Sequence, residues 1–190
     1  MHRRQILSTA VAMSALLVAP AVFAQETTKT TDPEKMGEAE TKHAMETMKV
    51  GALSLATSRI AEKKDTGPMV AQFAMFEVAE QETIADVLKS MKMDESAAKG
   101  TVAKPSDAEV MGMLDAEGKQ MVEKLQALSG KEFSKMYVIA QTEGHQKLLD
   151  IQEEYLKVGK NREHLNVTKL ARGQIKEHLK LLADLKTELG

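Results

Sequence analysis

Cysteine is absent from all 190 residues. That excludes disulfides, thiolate chemistry and any zinc site built on cysteine. Tryptophan is also absent, and aromatic residues make up only 3% of the chain. Runs of Val, Ile, Tyr and Phe alternating with polar residues are missing, which argues against strands and against a disulfide-stapled all-β domain. There is no excess of positive charge, since 26 Lys and Arg stand against 28 Asp and Glu. Nucleic acid and anionic membrane surfaces are therefore poor partners. No Gly-x-Ser-x-Gly elbow, glycine-rich phosphate loop or His-Glu-x-x-His helix occurs, so nucleophilic hydrolysis has no support. What remains is rich in Leu, Ala, Met, Glu, Lys and Gln, all strong helix formers. The composition predicts an all-α protein.

The first 24 residues stand apart. His2, Arg3 and Arg4 precede a nearly unbroken apolar run from Ile6 to Val18, and Val22-Phe23-Ala24 offers small residues at the two positions a signal peptidase reads. This pattern predicts a secretory signal peptide cleaved after Ala24, hence a periplasmic or secreted protein with no integral membrane segment after cleavage. The run is well short of the roughly 20 apolar residues that spanning requires. Two of the basic residues lie in this segment. The rest of the chain carries 24 against 28 acidic residues, a formal charge of −4.

Residues 25–33 read as a polar, Thr-rich tether, and residues 34–190 as one helical domain. Asp32-Pro33-Glu34 has the chemistry of a helix start, and helix one is expected from about Glu34 to Lys64. Asp65-Thr66-Gly67-Pro68 breaks it, and helix two follows to about Lys92. The stretch 93–105 reads as a loop. Ser106 to Glu109 has capping-box spacing and opens one short helix expected to end near Leu128. Ser129 to Glu132 repeats that spacing and opens a helix to about Val158. Gly159-Lys160-Asn161 is a turn, and the last helix runs from about Arg162 to Glu188. Four long helices and one extra short helix predict an antiparallel four-helix bundle.

Residues placed 100° apart sort each helix into faces. In helix two, Val70, Phe73, Ala74, Ile84, Leu88 and Met91 share a stripe, with Glu77 and Gln81 in its middle and Glu80 near its edge. In the next long helix the stripe runs through Phe133, Met136, Tyr137, Ala140, Gly144, Leu148, Ile151 and Tyr155, flanked by Glu143 and His145. In the last helix it runs through Ala171, Ile175, Leu179, Leu182, Leu185 and Leu189, with His178 inside it. A carboxylate on an inward stripe needs a partner, because burying it alone costs several kcal/mol. Glu77, Gln81 and His178 are thus the central inward polar set. Carboxylates and imidazoles on facing helices are how bundles build metal sites. The simpler reading is a Glu77–His178 ion pair without metal, with Tyr137 or Tyr155 adding a hydroxyl.

Phe73-Ala74, Leu128-Ser129-Gly130 with Phe133 and Tyr137, Gly144-His145-Gln146-Lys147 and Glu177-His178-Leu179 occur in an order and spacing that resemble a bacterial exported family known as domain of unknown function 4142. The resemblance covers about Gly51 to Leu185 and implies a ferritin-like helical bundle. It lends no reaction. Where the family has Asp-His in helix two, this chain has Glu80-Gln81; where it has a second Asp-His, this chain has Gly144-His145. The family's last His is His178, and its Glu in helix one falls on Ser54. The Glu-x-x-His repeat of ferritin-like di-iron sites is absent.

Two smaller signals complete the reading. Met91-x-Met93 and Met111-x-Met113, with Met45 and Met48 one turn apart, are soft-ligand spacings that suit Cu(I); as flexible core fillers the same residues need no ion. His43 and Glu46 have half-site spacing but sit near a helix start, where surface residues are expected. The chain is therefore expected to be an exported binding or stress-protective module rather than an enzyme. The alternatives are a divalent-metal protein (iron or zinc storage, or an oxidoreductase) using Glu77, Glu80, His145 and His178, and a Met-based Cu(I) carrier. A small ligand or metal is the candidate partner; no protein partner is indicated.

Overall fold

The computed structural model describes residues 36–92 and 100–190. The signal segment, the tether and Met93 lie outside these residues. Six helices and no strands occur among the described residues: α1 (Glu38–Ala61), α2 (Pro68–Lys92), α3 (Asp107–Met113), α4 (Ala116–Ala127), α5 (Gly130–Val158) and α6 (Arg162–Leu189). Each of the long helices packs on two of the others, α1 on α2 and α5, and α6 on α5 and α2. Residue pairs run in opposite order along touching helices. On α1 and α5, Glu40 meets Tyr155, Ser54 meets Gln141 and Ser58 meets Tyr137. No described helix is long and apolar enough to cross a membrane.

Local chemistry sets the boundaries. Gly37 caps α1, and the Glu40 carboxylate reaches back to the Gly37 amide at 3.1 Å. Helix one thereby begins at Glu38 rather than at about Glu34; the Asp32-Pro33-Glu34 signal itself lies outside the described residues. Gly67 takes φ +81°, a conformation that glycine adopts freely, and it turns the chain into Pro68. The single short helix expected over 106–128 is two helices. Leu114 is extended, and the Asp115 carboxylate accepts from the Gly118 amide at 2.9 Å, capping a new helix. Ser106 makes the expected capping box with Glu109. Ser129 does cap α5 in position, but its side chain makes no capping hydrogen bond.

The core has two apolar parts. One gathers Val70, Phe73, Ala74, Leu125, Phe133, Tyr137, Leu182 and Leu185. The other gathers Ala52, Leu55, Val78, Val110, Leu114 and Val122 where α3 and α4 cover the bundle. Met111 and Met113 pack against this second cluster as partly buried side chains. Arg59 ties the cover down, bonding Glu82 at 2.9 Å, Asp107 at 2.6 Å and the Pro105 carbonyl at 2.8 Å. Between and beyond the apolar parts the interior is polar. The inward face of α1 reads Glu40, His43, Thr47, Gly51, Ser54 and Ser58, and all six are buried.

Candidate metal centre

Glu77 on α2, His145 on α5 and His178 on α6 meet in the bundle interior. Glu77 Oε2 lies 3.2 Å from His145 Nε2 and 2.9 Å from His178 Nδ1, and the two ring nitrogens are 3.2 Å apart. Glu77 and His145 are wholly buried at 0% exposure, and His178 nearly so. A first-row metal ion about 2.0–2.1 Å from each of three donors spaces them about 2.9 Å apart on an octahedral face and about 3.3 Å apart on a tetrahedral one. The observed triangle lies within that range.

The outward atoms of the triad are held as well. His145 Nδ1 lies 2.8 Å from the Gln141 carbonyl, which can only accept, so Nδ1 carries the hydrogen and Nε2 offers a lone pair to the centre. His178 Nε2 faces Glu80 Oε2 at 3.3 Å, so this hydrogen points away from the centre too. Glu77 Oε1 receives the Ser54 hydroxyl at 2.5 Å, which leaves Oε2 free to face the histidines. A carbonyl and a carboxylate behind two histidines is the usual second layer of a metal site, fixing tautomer and ring angle. Gln141 links this layer to α1, its amide nitrogen donating to the Ser54 carbonyl, Thr57 and Ser58.

Electrostatics follow from this packing. Burial would raise the Glu77 carboxyl, but the two histidines against it and the Ser54 hydroxyl outweigh burial and hold the group ionised well below the usual range. Burial disfavours the charged form of His178, yet its bond to Glu77 and the charge of Glu80 push its pKa up. Glu80 is pushed up to about 7, chiefly by burial. A proton on His178 Nδ1, shared toward Glu77 and His145, therefore holds the three groups together when no cation does.

All four residues singled out from the sequence are thus neighbours, with distinct parts. Glu77, His145 and His178 converge, while Glu80 backs His178 from outside. His145 is central, not flanking the α5 stripe as its helical phase suggested. Tyr137 and Tyr155 do not reach the triad: Tyr137 pairs with Ser58 at 2.7 Å and Tyr155 with Glu40 at 2.8 Å. Gln81 points toward Gly51, where a Cβ would clash with its amide oxygen.

The family described as Domain of unknown function (DUF4142) matches residues 25–185. The chain belongs to this family. No curated protein and no solved structure matches it. In this DUF4142 chain the triad comes from three separate helices, and each of its members lies inside the matched range.

A second polar group sits where α1 and α6 begin and α5 ends in the DUF4142 bundle, and the sequence does not announce it. His43 is buried, not at the surface. Its Nδ1 lies 2.7 Å from His164 Nε2 and its Nε2 2.9 Å from Gln152 Oε1. Tyr155 packs on both rings, at 4.4 and 4.7 Å between centroids. Burial and the neighbouring ring lower His43 to about 4, and burial lowers His164, so both are neutral. Glu40 closes this end. Despite burial it is lowered to about 2 by the Lys160 amide, the Tyr155 hydroxyl and further backbone donors. The missed signal was the i, i+4 run His43–Thr47 on a helix whose inward face is polar.

Proposed function

We propose that this protein is a metal-binding module of ferritin-like, antiparallel four-helix architecture that holds one divalent first-row cation at Glu77, His145 and His178. The observation that carries the reading is the convergence of three buried donor atoms, each with its opposite atom already bonded. Two imidazoles and one carboxylate form a donor set that suits Zn(II) or Fe(II). Glu80 completes the charge balance, since Glu77 and Glu80 together match a dication. The sealed setting of Glu77 and His145 favours holding an ion over turning over a substrate at it. An exported bundle free of cysteine would offer such a site without competing thiolates, in keeping with the signal-like segment 1–24.

The test is titration of metal-stripped protein with Zn(II) under calorimetry, followed by elemental analysis after gel filtration. One equivalent per chain, lost in Glu77→Gln and bound more weakly in His145→Ala, is the expected result. Absence of stoichiometric uptake of Zn(II), Fe(II) and Co(II) alike overturns the reading and leaves a proton-bridged structural cluster. In that second case His178→Ala still destabilises the fold.

A further inference from the structure

The three donors differ in how they face the outside. Glu77 is backed by Ser54 on α1, and His145 by its own helix through the Gln141 carbonyl. Phe73 packs against the rings of both His145 and His178. His178 alone borders a cleft, a space of about 450 Å³ between α2 and α6. Its ring has one nitrogen on Glu77 inside and the other on Glu80 at the cleft. Ala79, Thr83, Gln174 and Glu177 line part of the mouth, and the apolar Phe76, Ile84 and Leu181 line the rest. A second cleft of about 200 Å³ opens between α1, α4 and α5 near Ala140, Glu143 and Gly144, but none of the three donors borders it.

We infer that the cation enters and leaves through the α2–α6 cleft, with the His178 ring as the door and the Glu80 and Glu177 carboxylates as its first oxygen contacts. This rests on the metal-binding reading above. A hydrated dication is drawn to a mouth carrying two carboxylates, which raises its local concentration there. Exchange of water for Glu80 oxygen brings it to the outer side of His178. Rotation of that ring then breaks its contacts with Glu77, His145 and Glu80, opens the way to Glu77 and His145, and returns Nδ1 as the last ligand. The proton on Nδ1 leaves by the same mouth. The cleft thus governs rates, while the triad governs affinity.

Stopped-flow mixing of the full chain with Co(II), read by the visible ligand-field band, tests this. Ala79→Phe fills the cleft without replacing a donor, and Glu177→Gln removes a carboxylate from the mouth. Glu143→Gln makes the same charge change at the other cleft. The expected result is that Ala79→Phe and Glu177→Gln slow loading and release together, by about fivefold for the charge change. Affinity stays constant, and Glu143→Gln behaves as wild type. Wild-type rates in both cleft variants, or equal slowing in Glu143→Gln, overturn the route while leaving the metal site standing. A wild-type chain that develops no Co(II) band overturns the metal site itself. Should Ala79→Phe not fold, Glu177→Gln against Glu143→Gln decides alone.

Discussion

At the residue scale, the chemistry rests on what buried polar atoms do when a partner is removed. Glu77→Gln keeps shape but removes the charge that His178 and His145 share. Breaking a buried pair on one side costs about 3–5 kcal/mol. Denaturant unfolding in the presence of chelator should therefore show Glu77→Gln less stable by about that amount. Gly51→Ala makes a different point, because the new methyl would meet the Gln81 amide oxygen. How much of the site was legible follows from residues of this kind. Glu77 and His178 stand out because polar groups interrupt an otherwise apolar stripe. His145 was misplaced, and Gln141 and Gln152 were not singled out, because α5 alternates polar and apolar residues on its inward face, and a phase drawn through the apolar ones alone is displaced by about one position. His43 was missed for the same reason, since α1 has almost no apolar stripe against which an inward His would register.

At the element scale, helix existence was read well and the break between α3 and α4 was not. An apolar residue followed by Asp carries little warning of a helix end, yet Asp115 starts α4 by accepting from Gly118. Asp115→Ala should cost about 1 kcal/mol in equilibrium unfolding, the usual worth of a lost N-cap. The cover formed by α3 depends on Arg59, whose guanidinium holds Glu82 and Asp107 together. In Arg59→Ala, hydrogen exchange at amides 108–113 should quicken, while amides in the middle of α5 and α6 keep their protection. Equal quickening throughout the bundle would show that α3 is part of one cooperative unit rather than a docked cover.

At the scale of the whole molecule, two polar layers separated along one bundle give the protein its pH response. His43 falls from an ordinary 6.5 to about 4 in the folded state. The unfolded chain therefore takes up a proton first, and stability must fall as pH drops from about 6.5 to about 4, by about 2–3 kcal/mol for this group. Glu40, lowered to about 2, has the depressed-carboxylate behaviour: its contribution is full above about 4.5 and is lost between there and about 2. Thermal unfolding followed from pH 7 to pH 3.5 should show the first of these losses, and His43→Gln should flatten it. The metal layer adds a dependence of the same sign. A cation at the triad displaces the proton that His178 holds, so binding should release close to one proton and weaken as pH falls. Calorimetry in two buffers of different ionisation heat measures that number.

The most direct measurement is X-ray absorption at the zinc edge of the chain loaded with one equivalent of Zn(II). Scattering from two imidazoles and oxygen donors at about 2.0–2.1 Å, reduced to one imidazole in His145→Ala, is the result predicted by a Glu77–His145–His178 centre. A spectrum with no imidazole scattering, or one unchanged in His145→Ala, would contradict it.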